Sequence, residues 1–202
     1  MKAWFNHPTQ GTPFQTQLQI LREQWTAKQS KMLHHFVVLS ALFAMSMSMP
    51  LPDFYSYSPA VGDGSGTEFS TAHDGRITGI RVYEYPNYGY YISYINGIQL
   101  KYGSNWTEVA GVNYYGNEKE MTLFNNEHFV QISGKYYYGY ISEVMFVTNE
   151  GRSIRVGQPY GISFNFYPTH DGSELRFISG RQNGFALTSI GAHWAVYYNS
   201  TS

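Results

Sequence analysis

The chain has 202 residues, of which 43% are hydrophobic and 18% aromatic, and it includes 19 Tyr and 20 Gly. Its length predicts about one domain, and this composition, with only 13% charged residues, favours strands and tight turns over helices. The net charge of −1 argues against a nucleic-acid-binding surface, which needs clustered Lys and Arg. The chain contains no Cys, which excludes disulfides and a Cys nucleophile.

The N-terminal part differs in composition from the rest. Residues 1–31 are polar without an apolar period, and we interpret them as a doubtful N-terminal extension. The apolar run Phe36–Met45, followed by small residues, is typical of a signal peptide. We assign this signal peptide to 32–48, with Met32 as the working start. The run is too short for a membrane span, which needs about 20 residues. We therefore expect secretion and no integral membrane span, and a buried helix is the alternative.

A single domain is predicted to follow this segment. Residues 49–57 contain prolines and are expected to form an extended lead-in. The domain itself is assigned to 58–198, and a short tail to 199–202. Sequons for N-glycosylation occur at Asn105 and Asn199, which fits a secreted protein.

Several segments of the domain alternate apolar and polar residues with the period of two that is typical of strands. They lie at 76–83, 97–103, 119–124, 129–133, 144–148, 173–178 and 192–198. Turn signals separate them. We interpret His73–Gly75 and His170–Gly172 as turns rather than catalytic His-Asp pairs, because no nucleophile motif lies nearby. No segment of the domain shows a sustained helical period, so the domain is predicted to be all-β.

A short motif recurs within the domain: an aliphatic residue, a hydroxyl-bearing residue, any residue, and a second aliphatic residue. It occurs at Ile92–Ile95, Ile141–Val144 and Leu187–Ile190, and the copies begin 49 and 46 positions apart. Self-similarity at a nearly constant period indicates a repeated structural unit. Three hairpin-like copies predict a closed all-β domain with approximate threefold symmetry.

Catalytic chemistry has little support in the sequence. Glu118 and Glu120 would share one face of a strand, as the carboxylates of a glycosidase could, but the intervening Lys119 favours a solvated rim. The histidines show no metal-ligand spacing, and no Gly-x-Ser-x-Gly motif is present. We therefore expect no enzyme activity, no metal and no cofactor.

The repeats and strand segments resemble the jacalin-related lectins, in particular the zymogen granule membrane protein branch of animal secretory lectins. The resemblance runs in order over most of the domain. It is carried by Gly62–Gly66, Asp74–Val82, Gln99–Trp106, Gln131–Tyr136, Phe146–Arg152, Leu175–Arg181 and Ser189–Trp194. It implies a β-prism, in which three four-stranded sheets surround a pseudo-threefold axis.

The resemblance also implies a metal-independent site for mannose-type sugars at one end of the prism. The family builds this site from a glycine-rich loop, a recognition loop and a Gly-x-x-x-Asp loop. The corresponding residues here are Gly64, Ser65 and Gly66; Glu150, Gly151 and Arg152; and Gly184, Phe185, Ala186, Leu187 and Thr188. Backbone N–H groups and one carboxylate would bind vicinal hydroxyls, and the Phe185 ring would cover the apolar face of the sugar.

The chain departs from the family at two of these positions. Thr188 replaces the Asp, and loss of the carboxylate is expected to weaken binding by about 1.5–3 kcal/mol, which is roughly tenfold or more in affinity. Glu150 stands where a Lys is expected. Without residues 1–48 the net charge is near −4, which disfavours heparin-like glycans.

The sequence thus predicts a secreted carbohydrate-binding protein of mannose-type or altered specificity. Its expected partners are glycans or glycoproteins, including microbial surface polysaccharide, and not nucleic acid. The Tyr-rich segments 83–94 and 136–140 are interpreted mainly as packed side chains, with stacking on larger glycans as the alternative. The alternative function is that of a structural secretory-granule or mucosal protein that has lost sugar binding.

Overall fold

The computed structural model describes residues 13–46, 53–85, 93–114 and 116–197. The chain divides into two compact units, Met1–Leu51 and Pro52–Ser202. Several segments singled out in the sequence lie outside the described ranges. They are the end of the signal peptide and the start of the lead-in (47–52), residues 86–92 of the Tyr-rich segment 83–94 with Ile92, and the tail 199–202 with Asn199.

The first unit contains one helix, α1, at Pro13–Ser46. Pro13 stands at its first position, where a missing N–H costs nothing, and neither Gly nor Pro interrupts it afterwards. This helix was not predicted from the sequence, because residues 1–31 show no apolar period. Residues with high helix propensity, such as Gln, Leu, Lys and Ala, favour a helix without such a period. The helix also crosses the predicted boundary at residue 32 without a break. No helix in the described residues has the length and apolarity needed to cross a membrane.

The second unit is all-β in its described part. Its strands are β1 (Ser56–Gly62), β2 (Thr67–Ser70), β3 (Ile77–Glu84), β4 (Ile95–Tyr102), β5 (Asn105–Trp106), β6 (Ala110–Gly111), β7 (Asn117–Thr122), β8 (Phe129–Tyr137), β9 (Tyr140–Thr148), β10 (Ser153–Gly157), β11 (Ile162–Phe166), β12 (Ser173–Gln182) and β13 (Leu187–Val196). Each of the predicted strand segments overlaps one of these strands, so those predictions are confirmed.

The strands form three antiparallel sheets. The first sheet has the order β1-β13-β12-β2, and the third has the order β10-β9-β8-β11. The second has the order β5-β4-β3-β7, and β6 pairs with β4 beside β5. The second sheet therefore has five strands rather than the four predicted, since two short strands take the place of one longer edge strand.

The three sheets enclose one hydrophobic core. Ile98, Val144 and Ile190 come from the central strands β4, β9 and β13, and all three are fully buried in this core. Trp194 is also fully buried, and its indole N–H donates to the Ser58 hydroxyl at 2.9 Å. The predicted β-prism is therefore confirmed.

Equivalent glycines mark the pseudo-threefold symmetry. Gly62, Gly157 and Gly111 have φ angles of +106°, +96° and +100°. Each lies so close to a carbonyl of a central strand that a Cβ would be 2.1–2.2 Å from the oxygen. The carbonyls belong, respectively, to Thr188, Ser142 and Asn96. Only glycine fits these positions, because both the space and the backbone conformation exclude a side chain.

This equivalence corrects the register of one repeat copy. Asn96, and not Ser93, is the structural counterpart of Ser142 and Thr188. The third copy is therefore Ile95–Ile98, and successive copies begin 46 positions apart in both steps. The prediction for this copy was wrong by three residues, because the motif requires a hydroxyl-bearing residue and this copy has the amide of Asn96 at that position.

The prism has two ends, which we name by their loops. The glycine end carries the loop Gly62–Gly66, the turn Tyr138–Gly139 and the loop Asn183–Ala186. The distal end carries the turn Asn149–Gly151 and the segment Phe124–His128, which are joined by a hydrogen bond from the Asn149 N–H to the His128 carbonyl (3.0 Å). Strand β9 connects the two ends, a distance of about 26 Å at about 3.3 Å per residue.

The segments weighed above as catalytic candidates have structural roles. Glu118 and Glu120 flank the Arg81 guanidinium, with their carboxylates 3.4 and 2.6 Å from its Nε. His73–Gly75 and His170–Gly172 form exposed bends or turns, as predicted.

Candidate functional site at the glycine end

Thr188 holds the glycine loop Gly62–Gly66 against β13. Its hydroxyl donates to the Ser65 carbonyl at 2.5 Å, and its own carbonyl accepts from the Gly64 N–H at 3.3 Å. Gly64 and Gly66 have positive φ angles of +74° and +89°, which glycine adopts without strain. The loop is thus a fixed backbone surface. The Thr188 side chain is fully buried and already committed to this loop.

Arg181 on β12 supports the same loop from the other side. Its guanidinium donates to the Gly66 carbonyl at 2.6 Å and to the Glu68 carboxylate at 2.9 Å. This cation is therefore engaged within the protein.

The loop Asn183–Ala186 satisfies its own backbone donors. The Asn183 side-chain oxygen accepts from the N–H groups of Phe185 and Ala186, at 3.1 Å each. Asn96 donates from its amide to the Phe185 carbonyl at 2.8 Å, which anchors the loop to the second sheet. The N–H groups of Phe185 and Ala186 are therefore already bonded within the protein, and the carbonyl oxygens of the loop are the backbone groups that can accept from a sugar hydroxyl.

Three tyrosine rings surround the Phe185 ring of this loop. The Phe185 ring is 38% exposed, and its centroid lies 5.2 Å from Tyr85, 5.9 Å from Tyr140 and 6.4 Å from Tyr94. The Tyr140 hydroxyl also accepts from the Asn183 side chain at 3.0 Å. Burial raises the pKa of Tyr94, so its phenol remains neutral. The rings fix the orientation of Phe185 and leave part of its face open to solvent.

The turn Tyr138–Gly139 joins the site from the third sheet. Tyr138 is 78% exposed although its φ is +44°, a conformation that bulky residues rarely adopt. Its ring packs edge-on against Tyr137, which contacts Tyr160 in the same way. These three rings form an aromatic surface on the side of the turn that faces β10 and β11.

The structure brings together two of the three predicted segments. Gly64 and Ser65 bond to Thr188, and Gly66 lies against Gln182 and Asn183 at the start of the loop that carries Gly184 and Phe185. Within the second segment, Ala186, Leu187 and Thr188 are buried, so only Gly184 and Phe185 are exposed.

The third predicted segment does not join this site. Glu150, Gly151 and Arg152 lie at the distal end, because β9 runs from Tyr140 at the glycine end to Thr148 before this turn begins. Arg152 forms an ion pair with the buried Glu127 at 2.6 Å, and its guanidinium lies 4.2 Å from the centroid of the Phe124 ring.

The fold places two features at the glycine end that the sequence alone did not assign to the sugar site. Asp63, next to Gly64, was passed over within a glycine-rich run. The turn Tyr138–Gly139 belongs to the Tyr-rich segment 136–140, which was interpreted mainly as packed side chains, but Tyr138 is 78% exposed. Its location inside the second hairpin copy, which corresponds to the loop Asn183–Ala186 of the last copy, is the signal in the sequence that places it at the glycine end. In the described part of the chain, no three His, Cys, Asp or Glu side chains are grouped as a metal site.

Three antiparallel sheets around one core, with a glycine loop at one end, define a β-prism of the lectin type. The chain matches the Jacalin-like lectin domain over residues 58–193. It belongs to the jacalin-like lectin family, whose members are carbohydrate-binding proteins.

Comparisons with individual proteins agree with this family. The chain is 41% identical over 150 residues to zymogen granule membrane protein 16 of Homo sapiens, covering 73% of this chain and 84% of that protein. A prostate-specific WGA16 glycoprotein lectin has a similar structure, with a TM-score of 0.61, 32% identity and coverage of 71% of this chain and all of that one. Calystegia sepium agglutinin (TM-score 0.60, 17% identity, covering 74% and 99% of the two chains) shares the fold.

Proposed function

We propose that this chain is a secreted lectin that binds neutral glycans at the glycine end, without a metal ion. One observation carries the proposal: Thr188 joins the glycine loop to β13, three residues after the exposed Phe185 in the loop Asn183–Ala186. A rigid backbone surface next to an open aromatic face suits a sugar, which presents hydroxyls on its edge and apolar C–H groups on its face.

The arrangement also indicates which glycans to expect. The Thr188 hydroxyl donates to the Ser65 carbonyl and is fully buried, so this position offers a ligand neither the charge nor the exposed acceptor oxygens of the family's Asp. Contacts with a second sugar ring should therefore contribute a larger share of the binding free energy. The exposed rings of Phe185 and Tyr138 can make such contacts. Arg181 is engaged by Glu68 and the Gly66 carbonyl, which disfavours sulfated or sialylated ligands.

A glycan array on the purified chain tests this proposal, followed by calorimetry with the best ligand. We expect binding of neutral oligosaccharides that persists in EDTA, with weaker binding of single hexoses. Silence across mannose, galactose, sulfated glycans and bacterial wall fragments would contradict the proposal. That result would support the structural role in granules or mucus instead.

Secretion is a separate part of the proposal, and it rests on the apolar run Phe36–Met45. Sequencing the N-terminus of the protein from the medium of expressing cells should find a start close to residue 49. An intact Met1 on cytosolic protein would contradict it.

We also propose N-glycosylation at Asn105, which is exposed next to the turn between β4 and β5 at the distal end. Treatment of the secreted protein with a peptide N-glycosidase should lower its mass, and Asn105→Gln should remove that shift. A glycan at the distal end would leave the glycine end open.

A further inference from the structure

We propose that Asp63 supplies the carboxylate that position 188 lacks, and that it accepts hydrogen bonds from the hydroxyls of the bound glycan. The inference rests on the proposed function and names one of its specificity-determining residues. The acidic group of the site would then stand on the glycine loop rather than on β13.

The first support is the position of Asp63. It is exposed and lies between Gly62 and Gly64, and the Gly64 N–H bonds to the Thr188 carbonyl. Asp63 is therefore the residue directly before Gly64, whose N–H joins the glycine loop to residue 188.

The second support is that the carboxylate is held in place. Its Oδ1 accepts from the Ser65 N–H at 2.7 Å, which ties the side chain to its own loop. Its Oδ2 lies against Gly139, 2.4 Å from the place that a Cβ on this residue would occupy. The carboxylate thus sits between the glycine loop and the turn Tyr138–Gly139, and a side chain at 139 would displace it.

The third support is charge. In the described part of the chain, the buried acids Glu127, Glu143 and Glu174 each form an ion pair with an arginine. None of the ion pairs among the described residues involves Asp63. The nearby cation, Arg181, is engaged by Glu68.

These observations define the ligand chemistry. A held carboxylate without a cation accepts strong, charge-assisted hydrogen bonds from vicinal hydroxyls, and it repels sulfate or a sugar carboxylate. The ligand is therefore a neutral glycan with at least one unsubstituted vicinal diol that can reach Asp63 while a ring stacks on Phe185.

Asp63→Asn tests the inference, because it removes the charge and keeps an oxygen that can accept from the Ser65 N–H. We expect affinity for the best neutral glycan from the array to fall by roughly tenfold or more. Binding of a matched sulfated glycan should rise, since a repulsive charge is gone. Asp171→Asn, on a turn at the other end of β12, is the matched control and should change neither value.

Gly139→Ala provides a second variant that leaves the charge on Asp63 and displaces the carboxylate. This variant should bind the same neutral glycan more weakly. If Asp63→Asn does not fold, Gly139→Ala tests the inference in its place. Thermal melts of both variants establish that the protein is folded.

The outcomes separate the two proposals. If the unaltered protein binds a neutral glycan and Asp63→Asn binds it within twofold, the role of Asp63 is overturned while the lectin function stands. If the unaltered protein binds no glycan, both fall.

Discussion

Each end of the prism has a carboxylate that is held by hydrogen bonds from its own loop, and the two differ in how they are buried and paired. At the distal end, the Glu127 carboxylate is buried and accepts from the Phe124 N–H, the Thr148 hydroxyl and Arg152. At the glycine end, Asp63 is exposed and forms no ion pair with any described residue. The Glu127 carboxylate is therefore fully engaged within the protein, whereas the Asp63 carboxylate stands at the surface without a cation among the described residues. A buried, fully bonded carboxylate stabilises the fold, and an exposed carboxylate that is held by its own loop can meet a ligand.

The largest expected effect concerns stability at the distal end. Glu127→Ala leaves the Phe124 N–H and the Thr148 hydroxyl without their buried acceptor, at a cost of about 1–3 kcal/mol each, and Arg152 loses its ion pair. Urea denaturation should show this loss. Glycan affinity of the protein that remains folded should be unchanged, and a parallel loss of affinity would show that the two ends are coupled.

Two hydroxyl-to-carbonyl hydrogen bonds on the equivalent strands β9 and β13 allow a matched comparison. The Ser142 hydroxyl donates to the Tyr160 carbonyl at 2.6 Å, as that of Thr188 donates to Ser65. Thr188→Val and Ser142→Ala should each reduce the free energy of unfolding by about 1–3 kcal/mol, since a carbonyl loses its donor.

Thr188→Val should weaken glycan binding more than Ser142→Ala, because Thr188 holds the glycine loop itself, whereas Ser142 holds Tyr160, which reaches the turn Tyr138–Gly139 only through the ring of Tyr137. Thr188→Ser keeps the donor and serves as the control. Equal affinities for Thr188→Val and Ser142→Ala would place the site elsewhere.

A smaller effect is expected from the exposed rings. Phe185→Ala should weaken glycan binding by about 0.5–1.5 kcal/mol, the value of one aromatic contact, as measured by calorimetry. Phe124→Ala removes an equally large exposed ring at the distal end and should leave affinity unchanged. If both variants bind alike, the ring of Phe185 does not touch the ligand.

The smallest expected effect is a pH dependence of the free energy of unfolding, which arises from His193 on β13 and from neither end of the prism. Burial lowers the pKa of His193 below its usual 6.5, and its ring nitrogens hydrogen-bond the Tyr55 and Ser179 hydroxyls. The unfolded chain therefore takes up this proton more readily than the folded one. The contribution of neutral His193 to the free energy of unfolding is therefore fully present above pH 6.5, and it declines as the pH falls below that value.

Melting temperatures measured between about pH 7.5 and pH 5.5 test this dependence. The decline should become shallower in His193→Gln, whose side chain does not titrate. An identical slope in both proteins would assign the dependence to other groups.

The sequence predicted more of the fold than of the site. Strand alternation is a local pattern, so the segments that became β3, β8 and β12 could be read without knowing their neighbours. The assignment of Glu150–Arg152 to the site failed because a motif does not reveal the end of a sheet at which a turn lies. That depends on the direction of β9, which a short alignment does not include.

The sequence by itself determined an all-β domain of three related hairpins and its membership of a lectin family, because periodicity and repetition are properties of the chain alone. It also showed that Thr188 lacks a carboxylate. Only the tertiary structure decided that the Thr188 hydroxyl turns inward to Ser65, that Tyr138 and Gly139 complete the glycine end, and that Asp63 lies among them. These are contacts between residues far apart in the chain, and they exist only once the three sheets pack around one core.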